Sequence, residues 1–425
     1  MKILLILSHW RKRNTFLNKF VVTSSYPTLT LEQLVSVTPD HYEVDYVDER
    51  WQTVDVNWDG DLVGISTLTL SANHAYEIAD EFRRRGKTVV LGGYHPSAVP
   101  EEAKQHADAV VIGEAEISWP RLLADYEHHE LKPFYRSDPV DPAAIPSPKR
   151  LPEFRTSDGI VQATRGCPYR CKFCAVQNVE GAMFRTRPVE KVIEEIKSLQ
   201  RTRFLFADSS LTINSTYTKQ LFQEMAGLNV HFSCYGNIDV LNKDEELLKL
   251  AHEAGCEQWL IGFESVNQET LKFIGKKTNK VEDYAIAVKK IKGYGMTIMG
   301  LFMFGFDTDT NDVFDSTLEA VYKMDLERAG FAIVTPYPGT PLFDELEKEG
   351  RILTRDWSQY NLRNVVFQPK NMSVEELRDG RESVAKEYYS FSNCLRRGFQ
   401  DENISIDRLV NRIVYDYFIN RFYRI

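Results

Sequence analysis

Short apolar runs alternate with stretches of helical spacing along the first third of the chain. Ile3–Leu7, Tyr42–Val47, Leu62–Ile65, Val89–Leu91 and Ala109–Ile112 are bounded by polar or glycine residues and predict buried strands. Between them, Ala72–Arg85 carries Ala75, Ile78, Ala79 and Phe82 at helical spacing. Strands alternating with helices predict a parallel sheet covered on both faces, an α/β doubly wound, Rossmann-like domain over residues 1–130. Ligands of such sheets sit beyond the carboxyl ends of the strands. Those ends read Ser66-Thr67-Leu68, Gly92-Gly93 and Gly113-Glu114. Glycines there let a flat or bulky ligand approach the backbone, although any tight strand-to-helix turn also favours glycine. No GxGxxG follows the first strand, which disfavours a nicotinamide dinucleotide.

Residues 131–158 hold Pro133, Pro139, Pro142, Pro146, Pro148 and Pro152 with little apolar periodicity, and predict an extended connector rather than a helix or strand. The alternation then resumes. Strands are expected at Ile160–Ala163, Phe204–Phe206, His231–Tyr235, Trp259–Ser265, Met296–Phe306 and Phe331–Val334, with helices at Val189–Gln200, Leu247–Ala254 and Tyr284–Ile291. Six such steps suit an open, partial (β/α)6 barrel over residues 159–345. A mostly helical extension follows over 346–425, with helices expected at Leu342–Glu349 and Ser373–Phe391, the second opened by the capping box Ser373-x-x-Glu376. Arg396 and Arg397 are expected at the surface. Ile406–Ile425 reads as a docked helix or as an amphipathic contact to a membrane or an apolar substrate.

Composition narrows the function classes. Lys and Arg total 52 against 61 Asp and Glu, a net charge of −9, which is unlike a surface built to hold a nucleic-acid backbone. The run Ile3–Leu7 is far short of the ~18 apolar residues that span a bilayer and is too short for a signal sequence. No transmembrane segment is expected, and the chain reads as cytoplasmic. Six cysteines in 425 residues are too sparse for a disulfide scaffold, so metal or catalytic roles come forward.

Three of those cysteines stand close together in Thr164-Arg-Gly-Cys167-Pro-Tyr-Arg-Cys171-Lys-Phe-Cys174. Soft thiolates at this CxxxCxxC spacing select zinc, copper(I) or an iron–sulfur cluster. A structural zinc needs a fourth ligand, yet no His lies between His129 and His231, and the next cysteine is Cys234. Three local ligands with one position open therefore favour a cluster with one exposed iron. Cys234 and Cys256 fall on or beside element interiors and are expected to be packing residues.

CxxxCxxC with an aromatic, Phe173, before its last cysteine resembles the signature of the radical S-adenosylmethionine (SAM) superfamily. The resemblance implies that Cys167, Cys171 and Cys174 hold a 4Fe–4S cluster whose open iron is chelated by SAM, and that SAM is cleaved to a 5′-deoxyadenosyl radical. It further implies SAM contacts at Asp208, Ser209 and Ser210, and at Glu264 and Ser265. Where relatives have two adjacent acids, this chain has Ser209. The first domain is similar to the cobalamin-binding domain through Ser66-x-Leu68 and Gly92-Gly93, which places Ser66, Leu68, Gly92, Gly93, Gly113 and Glu114 at the cofactor. The DxHxxG motif of that domain is absent: the first strand runs into Ser8-His9-Trp10, followed by the basic run Arg11–Arg13. The expectation is cobalamin bound without a protein histidine below the cobalt, His9 being a weak candidate ligand. Taken together, the resemblance implies a cobalamin-type radical SAM enzyme, most often a methyltransferase acting on an unactivated carbon. Its substrate would be a small, possibly apolar or planar molecule, and an external donor of flavodoxin or ferredoxin type would supply the electron. Cyclisation, ring formation or rearrangement is the alternative chemistry, and a non-catalytic iron–sulfur sensor is a more distant one. Cys171→Ala is expected to abolish both the brown cluster chromophore and all SAM cleavage, measured after anaerobic purification.

Overall fold

The structure is a computed structural model; it describes residues 1–9, 28–151, 158–399 and 417. The run Arg11–Arg13 and the terminal segment Ile406–Ile425, Tyr417 apart, fall outside the described residues.

The first domain is a six-stranded, all-parallel sheet of order β2-β1-β3-β4-β5-β6. Its strands are β1 (Lys2–Leu7), β2 (Glu43–Asp48), β3 (Leu62–Ser66), β4 (Thr88–Gly92), β5 (Ala109–Ile112) and β6 (Phe134–Arg136). Continuous apolar runs are what a strand covered on both faces requires. Along β1, Leu4 and Ile6 face the helix Ala72–Arg84, while Ile3 and Leu5 join Trp119, Leu122 and Leu123 of the helix Ala115–Glu127 on the other side. Two cores thus sandwich one sheet. Strand order reverses between β1 and β3, so the crevice at their carboxyl ends is the natural ligand position.

Strand β6 corrects the reading of 131–158 as a connector without strands. Pro133 precedes it and offers its carbonyl to Val110 N (2.9 Å), and an edge strand needs hydrogen bonds on one side only.

The second domain is also six-stranded and parallel, in the sequential order β7-β10-β11-β12-β13-β14. The strands are β7 (Gly159–Val161), β10 (Arg203–Phe206), β11 (His231–Tyr235), β12 (Cys256–Glu264), β13 (Thr297–Phe304) and β14 (Arg328–Ile333). A two-stranded antiparallel ribbon, β8 (Thr164–Arg165) with β9 (Arg185–Thr186), closes the stem of the cysteine loop. Phe204, Phe206, Phe232, Trp259, Phe263, Phe302 and Phe331 form one continuous aromatic core. Cys234 and Cys256 are buried within it as expected.

Beyond the barrel, helices run Pro341–Lys348 and Val374–Tyr388, and the capping box at Ser373 and Glu376 is formed. Arg397 is a correction: it is 5% exposed, with its guanidinium 3.9 Å from the Tyr388 ring centroid and Nη1 donating to Tyr388 O (2.7 Å). An arginine stem packs well over an aromatic face, and local sequence does not reveal that a ring waits there. The segment between these helices carries one short 3-10 turn, Trp357–Gln359. Ile352 and Phe367 form an isolated antiparallel bridge, and Trp357, Tyr360 and Val366 enter one core of the first domain. Trp357 Nε1 donates to Glu102 Oε1 (2.8 Å), which also accepts from Tyr76 OH (3.0 Å) and faces His95 Nε2 (3.2 Å). The C-terminal region therefore straps the two domains together.

No helix among the described residues is long and apolar enough to cross a membrane. Trp357→Ala removes a buried indole and orphans part of the Glu102 cluster. It is expected to cost about 3–5 kcal/mol, read as a lowered midpoint of urea unfolding.

Candidate functional site

A cavity of about 620 Å³ lies where the carboxyl ends of the first sheet meet the second domain. Ser66, Leu68, Gly92, Gly93, Gly113 and Glu114 all line it, so the six positions expected at a cofactor are brought together. Gly93 has φ +100°, and a Cβ there would lie 2.7 Å from Thr67 O, so only glycine fits. Leu68 is 56% exposed, an apolar side chain left bare beside the crevice. Ser8 Oγ donates to Thr67 Oγ1 (2.7 Å), and His9, on the same wall, donates its backbone N–H to Glu49 Oε2 (3.0 Å). The opposite wall comes from the second domain: Gln162, Arg165, Val179, Glu180, Arg187 and Ala207.

The cysteine loop rises from the ribbon. Gly166 opens it at φ +79°, where a Cβ would meet Met183 O at 2.1 Å. The turn is closed by Cys174 N donating to Cys171 O (3.1 Å). Cys171 is buried, Cys167 and Cys174 are half-buried, and none is in a disulfide. Burial pushes all three thiols up, Cys171 to about 11, while the Lys276 ammonium pulls against that shift. A ligating thiol must be ionised, so this adjacent cation is the electrostatic partner a thiolate set needs. Burial opposes the charge on Lys276 itself, yet Glu264 and the cysteine sulfurs hold it protonated, above the usual lysine range. Among the described residues no three His, Cys, Asp or Glu side chains converge on one metal ion. Thiolates that bind separate irons of a cluster need no such convergence. Three free soft ligands on one glycine-opened loop beside a half-buried cation fit a cluster, and a glycine-floored, apolar cavity fits a corrinoid.

Glu264 ends β12 in the left-handed region, φ +63°, at a shift of register against β13. A carboxylate residue held there is strained, and such strain concentrates at functional sites. Lys276 Nζ donates to Glu264 Oε1 (3.0 Å). Asn279 Nδ2 and Tyr284 OH brace the distorted strand end through Phe263 O, at 3.2 and 2.9 Å. Ser265 Oγ accepts from Asn267 N (3.0 Å), capping the following turn. Phe173 packs 6.0 Å from the Phe306 ring, between the loop and the barrel core.

Asp208 is fully enclosed. Its Oδ1 accepts from Ala163 N (3.1 Å), Thr164 N and Thr164 Oγ1 (2.5 Å), tying β10 to the strand that feeds the cysteine loop. Burial outweighs these donors and pushes its carboxyl up to about 7. Ser209 Oγ donates to Glu180 Oε2 (3.2 Å), which also accepts from Gly166 N (2.9 Å). Ser210 pairs with Thr212 at 3.3 Å.

Glu114 does more than line the cavity. It is 7% exposed, and Oε1 and Oε2 take both Arg185 Nη atoms (3.0 and 2.8 Å), with Arg165 Nη1 at 3.2 Å. Lys276, Glu180, Arg165 and Arg185 escaped the sequence reading. Arg165 and Arg185 carry no motif, and Lys276 sits in a polar loop whose approach to Cys171 is purely tertiary.

Comparison with known proteins agrees with this geometry. Residues 161–321 match the radical SAM superfamily, residues 20–123 a B12 binding domain, and residues 340–408 a domain of unknown function. The chain is 31% identical to bacteriochlorophyllide d C-12(1)-methyltransferase of Chlorobaculum tepidum over 385 residues, 87% of this chain and 84% of that protein. It belongs to the cobalamin-binding radical SAM enzymes. The enzyme is 35% identical to bacteriochlorophyllide d C-8(2)-methyltransferase of the same organism over 363 residues, 80% of each chain. Its fold is similar to that of the radical SAM methyltransferase TsrM of Kitasatospora setae, solved with cobalamin and a [4Fe-4S] cluster bound: the TM-score is 0.69 at 18% identity, covering 82% of this chain and 78% of that one. The two cofactor domains imply a 4Fe–4S cluster, SAM and cobalamin.

Asp208→Asn tests the buried carboxyl. A group whose folded pKa is raised contributes stability that is lost as pH rises from its unfolded value through about 7. The destabilisation caused by Asp208→Asn is therefore expected to be larger at pH ~5 than at pH ~8, measured by urea unfolding of both proteins at each pH.

Proposed function

We propose that this enzyme methylates an unactivated alkyl carbon on the periphery of a cyclic tetrapyrrole. The observation that carries the reading is the shared cavity: carboxyl ends of both parallel sheets border one space, with cobalamin-domain residues Ser66, Leu68 and Gly93 on one side and Arg165, Glu180 and Ala207 on the other. When bound, the cluster with SAM supplies a hydrogen-abstracting 5′-deoxyadenosyl radical, and cobalamin supplies the methyl group. The chain's own residues orient and exclude water. Cys167, Cys171 and Cys174 would hold the cluster, with Lys276 balancing thiolate charge. Ser209, Ser210, Glu264 and Ser265 would border SAM at the carboxyl ends of β10 and β12, and Asp208 keeps the strand below the cysteine loop in place. Gly92, Gly93 and Gly113 would let the corrin ring lie against the backbone. The order Ser8-His9 in place of DxHxxG supports a cobalt without a protein histidine below it. A flavodoxin- or ferredoxin-type protein would supply the electron.

The tetrapyrrole assignment is supported by two relatives, each named for methylating bacteriochlorophyllide d. The test is anaerobic incubation of the reconstituted enzyme with SAM, cobalamin, reductant and a chlorophyllide-type substrate. A product heavier by one methylene, formed with one 5′-deoxyadenosine each, is expected. Deoxyadenosine accompanied by a product of lower hydrogen content would replace methyl transfer with ring formation.

A further inference from the structure

The contact between the domains is built from buried charge. Glu114 follows β5 and borders the cobalamin cavity, while its carboxylate accepts four hydrogen bonds. Two come bidentate from Arg185 (2.8 and 3.0 Å), one from Arg165 (3.2 Å) and one from Val140 N (2.7 Å). Arg165 also donates to Glu116 Oε1 (2.5 Å) and to Gln162 Oε1 (3.0 Å). Arg185 donates further to Val140 O (2.5 Å) and to Glu180 O (2.6 Å). These two arginines face each other across the ribbon β8–β9, in register Arg165 with Arg185. The ribbon is the stem of the cysteine loop, so one carboxylate of the first domain grips both strands of that stem. Gly113, one residue earlier, would place a Cβ 3.6 Å from Val179 O on the returning arm of the loop. A bidentate, buried guanidinium–carboxylate pair is geometrically rigid, unlike an exposed ion pair.

We propose that Glu114, Arg165 and Arg185 are positioning residues that hold the cobalamin cavity and the cysteine loop in one register. The clamp makes hydrogen abstraction and methyl delivery act on the same carbon. It takes no part in the chemistry. The inference rests on the methyl-transfer reading above.

Glu114→Gln keeps the shape and removes the charge, and Arg185→Lys keeps the charge and removes the fork. Both are tested as reconstituted holoenzyme with a low-potential electron donor and a dithiol present, by two readouts. The first is 5′-deoxyadenosine formed per methylated product. Misregister leaves the deoxyadenosyl radical to be quenched by a hydrogen atom from the dithiol, so this ratio is expected to rise about tenfold or more in both variants. A merely structural defect lowers both products together and leaves the ratio unmoved. The second readout is amide hydrogen exchange, expected to quicken in residues 109–114 and in residues 164–186 alike. A wild-type ratio, or faster exchange confined to one of the two segments, overturns the proposal. If the unaltered enzyme gives no methylated product, the substrate reading has failed, and exchange alone then decides the clamp.

Discussion

Everything in this molecule depends on two parallel sheets being made to face each other by their carboxyl ends. A parallel sheet has its strand-end loops, and hence its reactive side chains, at one edge. Two such edges brought together create a space that neither could enclose alone. The carboxylate of Glu114, gripping Arg165 and Arg185, is one contact that holds them opposite each other. Burying these charges is costly, and the geometry must be good to offset desolvation. Here every partner is hydrogen-bonded, and one backbone amide, Val140 N, completes the carboxylate.

A second electrostatic decision lies beside the cysteine loop. Lys276, half-buried, stands between Glu264 and the thiols, where its charge is paired. The left-handed backbone at Glu264, braced by Asn279 and Tyr284, aims the carboxylate at Lys276. The strained strand end and the half-buried cation are thus one arrangement, each stabilising the other. On the far side, Asp208 and Glu180 hold the stem and mouth of the loop through backbone amides at Thr164 and Gly166.

Much of the fold was legible because buried parallel strands must be apolar on both faces. Ile3–Leu7 and Val89–Leu91 are short, wholly apolar and bounded by polar or glycine residues, and every strand expected from such a run is present. The cysteine loop was equally legible, since Gly166 and the three cysteines lie within a few residues of each other. Strand β6 was hidden among prolines because a three-residue edge strand has too few positions to show a period. Trp357, Tyr360 and Arg397 were misjudged or missed because their burial depends on surfaces far away in sequence.

What the residues alone determined was which local structures form and which chemistry the cysteine spacing permits, because hydrophobic period and ligand spacing are properties of neighbours along the chain. What only the tertiary structure decided was who partners whom: Glu114 with two arginines of the other domain, Lys276 with Glu264 and the thiols, Asp208 with the strand below the loop. Those pairings follow from distance and burial after folding, and desolvation makes a charge count only when its partner has already been carried to it.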